Sequence, residues 1–239
     1  MPQSALKQIL AIAFLAGFAN TAHAEGLYGS LLLGGSVETN DVRAYGENIA
    51  VDPDFPANFD AGDGAIAGIG LGYIINRQFR IEGRLAFYDT DFNSRRLGTG
   101  ARAGEEYILD GSLRSTTLTA EVFYDLPTSL PLSPYVKAGV GIALNKYSAR
   151  LGGAGVAAFD GLDGVADGFY DAYPDQSSTE LTWNVGLGIS YRITNTLNLF
   201  GEYQYVTLGD SQTGQDQFTD GFSVDSSKHT VTIGLRAQF

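Results

Sequence analysis

The sequence has no cysteine, few prolines and no long apolar run, and each absence narrows the possibilities. Without cysteine, disulfide bridges, thiolate chemistry and zinc–thiolate sites are excluded. Seven prolines beside 31 glycines and 12% aromatic residues suit an all-β architecture rather than a disordered coat. Polar residues or glycine interrupt every apolar run before the roughly 20 residues that a spanning helix needs, so helical membrane proteins are excluded.

Positive charge is also scarce. The chain has 15 Lys and Arg residues against 27 Asp and Glu residues, for a formal net charge of −12. Nucleic acid is a polyanion, so this balance argues against it as a partner.

The first 24 residues have the layout of a secretory signal peptide. Lys7 precedes an apolar run from Ile9 to Ala19, and small residues around His23 end at Ala24. The run has about 11 residues, too few to span a bilayer as a helix. We therefore expect cleavage after Ala24 and export of residues 25–239 by the Sec pathway, with 14 basic and 27 acidic residues remaining.

Beyond residue 24, alternation of apolar and polar residues is the commonest pattern. It predicts eight strands, and the connections between them alternate between short and long. Such a chain folds into an all-β, antiparallel, up-and-down barrel with its short turns at one end and its long loops at the other. The predicted strands are 26–37, 64–75, 78–89, 112–125, 134–146, 179–193, 196–208 and 227–239, and the predicted long loops are 38–63, 90–111, 147–178 and 209–226.

The two faces of each predicted strand differ in polarity. In 79–88, for example, Phe79 and Phe87 share one face while Arg80 and Glu82 share the other. Alternation alone also fits a soluble, lipocalin-like barrel with its apolar face inward. The signal peptide, the unequal loops and the glycine-rich polar faces favour the transmembrane barrel, with Trp183 as a lipid-facing anchor at an interface.

Several segments carry a family resemblance: "GLYGSLLLGG" after residue 25, "IAGIGLGYIINRQFRIEGRLAFYD", "PYVKAGVGIAL", "LFGEYQYVTLGD" and the final strand. The chain resembles the small eight-stranded outer-membrane β-barrel family, which includes opacity-type surface antigens and the OmpA-like membrane domain. This resemblance implies a surface or porin-family protein of the Gram-negative outer membrane. It also implies contact with outer-membrane lipid and lipopolysaccharide, with the long loops outside the cell.

The final strand ends on an aromatic residue preceded by apolar residues at alternate positions. This pattern resembles the signal that the barrel assembly machinery recognises in the last strand of outer-membrane barrels. The resemblance assigns that role to Val231, Ile233, Leu235 and Phe239.

Charged residues on the polar faces are expected to point into the barrel. Eight strands enclose a space that side chains just fill, so opposite charges inside should pair and plug it. The alternative is a selectivity ring that lines a narrow pore. The predicted interior network contains Arg80, Glu82, Arg84, Glu121, Lys137, Glu202 and Arg236.

The predicted loops are rich in acid. Asp160, Asp163 and Asp167 each directly precede a glycine, in a loose likeness to a cation-binding loop. They lack the regular spacing and closing Glu of an EF-hand, so a solvated acidic loop is the favoured interpretation and no metal or cofactor is expected. In loop 90–111, Arg95, Arg96 and Arg102 could instead meet lipid phosphates.

Three functions remain open at this point. The first is a monomeric, non-catalytic surface protein whose loops contact environmental or host ligands. The second is a narrow porin-like channel for small solutes. The third is a lipid A-modifying enzyme, for which His229, the only histidine after the signal peptide, would need a serine and an acid nearby. We do not expect an enzyme, because Lys228 and Thr230 around His229 do not form the His-x-Ser arrangement of the lipid A deacylases.

Overall fold

The computed structural model describes residues 26–154, 168–170 and 173–239, and strands make up most of them. The predicted signal peptide and the three loop aspartates at 160, 163 and 167 lie outside these residues. No helix within the described ranges is long and apolar enough to cross a membrane. The strands are β1 (Leu27–Glu38), β2 (Val42–Tyr45), β3 (Asn58–Phe59), β4 (Asp63–Ile74), β5 (Phe79–Leu97), β6 (Glu106–Asp125), β7 (Leu132–Ala154), β8 (Phe169–Tyr170), β9 (Gln176–Arg192), β10 (Leu197–Gln212) and β11 (Gly221–Gln238), with a 3-10 helix at Gly100–Arg102.

Eight of these strands close into a ring. Their order is β1, β4, β5, β6, β7, β9, β10 and β11, every pairing is antiparallel, and β11 pairs again with β1. The closing ladder runs from the pair Tyr28–Gln238 to the pair Glu38–Lys228. The predicted eight-stranded antiparallel barrel is therefore confirmed. The short strands β2 and β3 continue the sheet from β11, and β8 pairs with β7.

The turns at one end of the ring are tight, and polar side chains hold them. Asn76 Oδ1 accepts hydrogen bonds from the backbone N–H groups of Gln78 (2.8 Å) and Phe79 (2.9 Å). In the turn before β10, Thr194 Oγ1 accepts one from the N–H of Leu197 (3.0 Å). Short polar side chains that bond the backbone two or three residues ahead stabilise such turns.

The chemistry of the two strand faces inverts part of the way along the barrel. On β5 the side chains of Arg80, Glu82 and Arg84 point inward and are buried, whereas Phe87 points outward and is exposed. The same alternation continues beyond Phe87, but Phe92 is now the inward residue, and polar residues point outward. We call the part of the ring from the short turns to the level of Phe87 the turn half, and the part from Tyr88 of β5 to the long loops the loop half.

The outward face of the turn half is a continuous apolar belt. Large aliphatic and aromatic side chains expose 40% or more of their surface on every one of the eight strands there, with Tyr203 as the single contribution of β10. Such a surface suits lipid, and the arrangement excludes the soluble barrel with an apolar interior in this half. Members of the belt include Leu33, Leu71, Phe87, Leu118, Val140, Leu187, Tyr203 and Ile233.

The strands run further than predicted, and the long loops are correspondingly shorter. Most of the predicted loop 90–111 is strand, because β5 extends to Leu97 and β6 begins at Glu106. β7, β9, β10 and β11 likewise enter the predicted loops 147–178 and 209–226, and loop 38–63 contains β2 and β3. The strand ends were predicted too early because a strand was recognised by an apolar outward face. Segments with polar outward residues did not meet this criterion and were therefore assigned to loops.

Candidate functional site: the filled barrel interior

A network of five buried charges occupies the middle of the turn half. At its centre, Arg84 Nε lies 2.9 Å from Glu82 Oε1, and Arg84 Nη1 lies 2.7 Å from Glu202 Oε2 and 3.4 Å from Glu121 Oε2. Lys137 Nζ joins the same carboxylates, 3.1 Å from Glu121 and 3.2 Å from Glu202. All five side chains are at most 5% exposed. Four strands of the ring are thus cross-linked through their inward faces.

Neutral groups complete the hydrogen bonding of these carboxylates. Ser30 Oγ donates to Glu82 Oε1 (3.0 Å), Asn184 Nδ2 donates to Glu121 Oε1 (3.2 Å), and the Tyr135 hydroxyl donates to Glu202 Oε1 (2.9 Å). Buried charges are tolerable only when paired and hydrogen-bonded, and here each carboxylate is both.

A second layer lies nearer the short turns. The Arg80 guanidinium pairs with Asp125 (Nε–Oδ2 2.9 Å) and stacks 4.0 Å above the centre of the Phe123 ring. Arg236 lies beside the Tyr28 ring, 5.6 Å from its centre, and forms no ion pair with any residue that the structure describes. The sequence prediction contained both arginines but missed Asp125, although Asp125 is the last residue of the predicted strand 112–125 and shares the parity of Glu121.

The predicted network residues therefore all lie inside the turn half, in two adjacent layers. Together with Asp125 they provide four cations and four anions, so the two layers have no net charge. Glycines on the inward faces leave the space that the large side chains fill. A Cβ at Gly72 would collide with the Tyr28 ring, and one at Gly188 would collide with the Tyr135 ring.

Where the two halves meet, a buried ion pair joins the first and last strands. Lys228 Nζ lies 2.6 Å from Glu38 Oε2 and donates a second hydrogen bond to Thr90 Oγ1 (2.8 Å). Neither residue was predicted as part of the interior network. The available signal was the parity of β11, on which Lys228 shares the inward face with Thr230 and Thr232.

The loop half has an apolar core instead of a charged one. Aromatic rings from several elements pack edge to face: Phe55 with Tyr107 (centroids 4.7 Å apart) and Tyr173 with Phe222 (5.2 Å). Phe59 of β3 packs against Phe222, so the segment between β1 and β4 folds inward as a lid on this core. The core comprises Val42, Phe55, Phe59, Phe92, Tyr107, Leu109, Leu113, Tyr147, Ala149, Leu151, Tyr170, Tyr173, Phe222 and Val224.

The loop segment 52–54 is clasped to the 3-10 helix. Arg102 Nε lies 2.7 Å from Asp52 Oδ2, and the backbone N–H of Asp54 donates to Asp52 Oδ1 (2.9 Å). That N–H and the Arg102 side chain hold the pKa of Asp52 below its usual value. The Tyr107 hydroxyl and Arg102 likewise lower the pKa of Glu105, and burial raises the pKa of Tyr107 to about 12.

The other loop arginines also contact carboxylates. Arg95 lies 3.5 Å from Glu106, and Arg96 lies 2.5 Å from Asp60. Arginines expected to meet lipid phosphates thus have partners within the chain. In the part of the chain that the structure describes, no group of three or more Asp, Glu, His or Cys side chains could hold a metal ion.

His229 faces outward among aromatic rings. Its Nδ1 lies 2.7 Å from the Tyr203 hydroxyl, and its ring lies 5.2 Å from that of Tyr205. Tyr205 in turn packs against Trp183. These four side chains lie at the loop-side edge of the apolar belt, where aromatic girdles of membrane barrels lie. The partners of His229 are tyrosines, not the serine and acid of a hydrolytic triad.

Comparisons with known proteins agree with this architecture. The model of the outer membrane protein beta-barrel domain matches residues 10–239. The outer membrane protein PagN of Salmonella typhimurium is 26% identical over 200 residues, which cover 77% of this chain and 75% of PagN. An uncharacterized protein of Brucella abortus is 28% identical over 209 residues, which cover 76% of this chain and 71% of the relative.

Among solved structures, the outer membrane protein OprG from Pseudomonas aeruginosa resembles this barrel in fold. The TM-score is 0.53 at 13% sequence identity, and the match covers 91% of this chain and 98% of OprG. With a family match along nearly its whole length and a closed ring of eight strands, the chain belongs to the outer-membrane β-barrel family of Gram-negative bacteria.

Proposed function

We propose that the protein is a non-catalytic, non-conducting barrel that presents its loop half outside the cell as a contact surface for environmental or host ligands. The observation that carries the proposal is the filled interior. The two layers of paired charges, which together have no net charge, occupy the turn half, and the aromatic core occupies the loop half. Between them lies a cavity of about 10 Å³ beside Arg84 and Tyr88, roughly the space of one water molecule.

The rival is a narrow channel. Selective pores use charged rings or dipoles along a continuous aqueous path. Here, the charges of Arg84 and Lys137 are paired with Glu82, Glu121 and Glu202, and the ion pairs bridge the lumen instead of lining it. This arrangement supports a plug.

Single-channel recording in a planar bilayer tests the plug. The refolded 25–239 chain should give no current steps, whereas Glu82→Ala/Glu121→Ala should give intermittent ones, because it removes two bridging side chains. Slower gel migration after boiling verifies that each sample was folded, and Glu105→Ala in the loop half serves as a control. Reproducible steps from the unaltered barrel that change with the double variant would establish a pore and overturn the proposal.

The non-catalytic part of the proposal concerns His229. We assign it to the aromatic girdle, where Tyr203 and Tyr205 hold it. Replacement of His229 by Ala should leave the lipid A of the expressing cells unchanged by mass spectrometry. A lipid A modification that appears with the unaltered chain and disappears with His229→Ala would contradict this assignment.

Biogenesis completes the proposal. The chain is exported by the Sec pathway, loses residues 1–24 and inserts as a monomer among outer-membrane lipids and lipopolysaccharide. Val231 and Ile233 point outward from β11, so they are accessible in the unassembled strand. In this proposal the assembly machinery recognises them together with Leu235 and Phe239.

A further inference from the structure

The wall of the barrel is incomplete in the loop half between β9 and β10. Their backbone ladder ends at the pair Trp183–Thr207, although β9 begins at Gln176 and β10 continues to Gln212. At the same level the ladder between β10 and β11 has a bulge between Thr207 and Gly209, and Gly209 adopts a left-handed conformation (φ 78°) there. Bulges of this kind bend a strand away from its neighbour.

Around the bulge, side chains of β9 and of β7 donate hydrogen bonds to the backbone of β10. Ser178 Oγ donates to the backbone oxygen of Asp210 (3.0 Å), and Asn145 Nδ2 of β7 donates to the backbone oxygen of Leu208 (2.8 Å). The opening that remains is a groove of about 190 Å³, and its walls include Asn145, Gln176, Ser178, Glu180, Asp210 and Ser211.

Two residues that line this groove each have a buried polar atom without a hydrogen-bond partner in the described structure: Asn145 Oδ1 and Ser211 Oγ. Asn145 is 3% exposed and Ser211 is 2% exposed. Because Nδ2 of Asn145 is engaged with Leu208, the amide is fixed and its oxygen is left as an acceptor. A buried acceptor without a donor destabilises a protein, which makes both atoms candidates for ligand contacts.

The groove offers more acceptors than donors. Besides Asn145, its lining residues include the acidic Glu180 and Asp210, while the hydroxyl and amide side chains of the other lining residues can both donate and accept. A ligand rich in hydroxyl donors satisfies such a surface, whereas the two negative charges oppose sulfated or phosphorylated ligands. A bare metal ion fits less well, because only two carboxylates are present and the space exceeds one ion's coordination shell.

We propose that this groove binds an uncharged sugar residue of a glycan. The groove lies just beyond the aromatic girdle of Trp183, Tyr205 and His229, the level at which saccharide begins in a lipopolysaccharide leaflet. The glycan can come from lipopolysaccharide of the same membrane or from another surface. The inference rests on the proposed function only for the position of the groove outside the cell. Sugar binding by the barrel in detergent does not depend on whether the barrel conducts ions.

The chain provides its own reporter for the test. Trp183 is the only tryptophan, lies three residues from Glu180 on β9 and forms the last rung of the ladder. The refolded 25–239 chain is first applied to an array of uncharged, sialylated and sulfated oligosaccharides. The strongest uncharged binder and a dephosphorylated lipopolysaccharide core oligosaccharide are then titrated while Trp183 fluorescence is followed, and the tighter of the two identifies the source.

The matched variants are Glu180→Gln/Asp210→Asn in the groove and Asp89→Asn/Asp91→Asn on the outward face of β5, which change the net charge equally. The groove variant should weaken sugar binding at least about tenfold, and the control variant less than about twofold. Boiling-dependent gel migration confirms the fold of each.

Three results would overturn the inference: no uncharged glycan binds, sulfated glycans bind best, or both variants bind as the unaltered chain does. The last measurement is a titration with Ca²⁺ in the absence of sugar. A Trp183 response to Ca²⁺ without sugar that disappears in the groove variant would identify a cation site in place of a sugar site.

Discussion

The two halves of the barrel are built on one strand register but have opposite interiors. In the turn half, charged side chains fill the lumen and apolar side chains cover the outside. In the loop half, aromatic side chains fill the lumen and polar side chains such as Asp89 and Asp91 face outward. The change happens within two residues of β5, at Phe87 and Tyr88, without any break in pairing with β6.

Alternation of polar and apolar residues therefore encodes the strand, whereas the medium around the barrel, lipid or water, decides which face is apolar. Lipid solvates apolar groups on the outside, so polar residues are left for the lumen. Where the outward face meets water, polar side chains are favoured outside. Apolar side chains are then favoured in the lumen, because their burial removes apolar surface from water. One continuous strand therefore behaves as a membrane strand and as a strand of a soluble barrel.

The largest expected effect comes from breaking the polar core of the turn half. Arg84→Met removes the cation at the centre of three carboxylates, so Glu82 loses its ion-pair partner while Glu121 and Glu202 share Lys137 alone. Loss of one partner from a buried ion network destabilises a protein by about 3–5 kcal/mol. Urea unfolding of the barrel in lipid vesicles measures the change in the free energy of unfolding.

Arg114→Met is the control for this change. Arg114 pairs with Asp89 at 3.2 Å, but both side chains are more than half exposed. Exposed pairs contribute about 0–1 kcal/mol. Equal losses for the two variants would mean that the turn-half network is no more important than a surface pair.

The outward faces of the two halves should also differ in their tolerance of charge. Val140 and Ser148 both lie outward on β7, Val140 in the apolar belt and Ser148 in the loop half. An arginine facing lipid near the midplane costs about 2–4 kcal/mol, whereas one outside the apolar belt costs about 0–1 kcal/mol. Val140→Arg should therefore destabilise the barrel far more than Ser148→Arg in the same vesicle assay.

If Ser148→Arg were as costly as Val140→Arg, the apolar belt would have to extend over both positions. The boundary at Phe87 and Tyr88 would then be misplaced. Substitution of arginine at outward positions of β7 between Val140 and Ser148 would locate the boundary of the apolar belt.

The smallest effect concerns pH and is confined to the loop half. The pKa of Asp52 is lowered in the folded chain by the Asp54 N–H and by Arg102, and the pKa of Glu105 is lowered by Tyr107 and Arg102. A lowered carboxyl pKa contributes stability above the unfolded value and loses it as the pH falls through the folded value. Acidification from pH 7 to about 3 should therefore loosen the clasp between segment 52–54 and the 3-10 helix.

Hydrogen exchange of residues 98–105 measures this loosening. Asp52→Asn should show faster exchange at pH 7 and a smaller response to acid. Each rate is expressed as protection relative to the unfolded chain at the same pH, because intrinsic amide exchange itself depends on pH. Protection in the turn half should be unchanged over the same range, and an equal loss of protection in both halves would contradict a local clasp.

Much of the turn half could be predicted from the sequence, because lipid imposes a period-two pattern on every strand. That pattern identified Arg80, Glu82, Arg84, Glu121, Lys137, Glu202 and Arg236 as inward residues, and all seven lie in the lumen. The predicted strand 112–125 included Asp125, but its partnership with Arg80 depends on the pairing register of β5 and β6, which alternation within one strand does not specify.

The loop half was largely missed. Its outward polar residues, such as Asp91, were assigned to a loop, although inward Phe92, Leu109, Tyr147 and Leu151 maintained the alternation. A search for alternation of either sense would have found these extensions. The separation of β9 from β10 could not be predicted, because Gly209 is one of several glycines and its left-handed conformation is not encoded by its neighbours alone.

The ladder between β1 and β11 also governs how the barrel folds. It joins positions 28 and 238, so the contact with the greatest sequence separation is also the one that completes the ring. Contacts of this kind slow folding, and until the last strand arrives β1 has an unpaired edge that any other strand can join. The buried Lys228–Glu38 pair belongs to this seam. Its two charges become mutually neutralised only when the correct strand docks, so the seam discriminates against the wrong one.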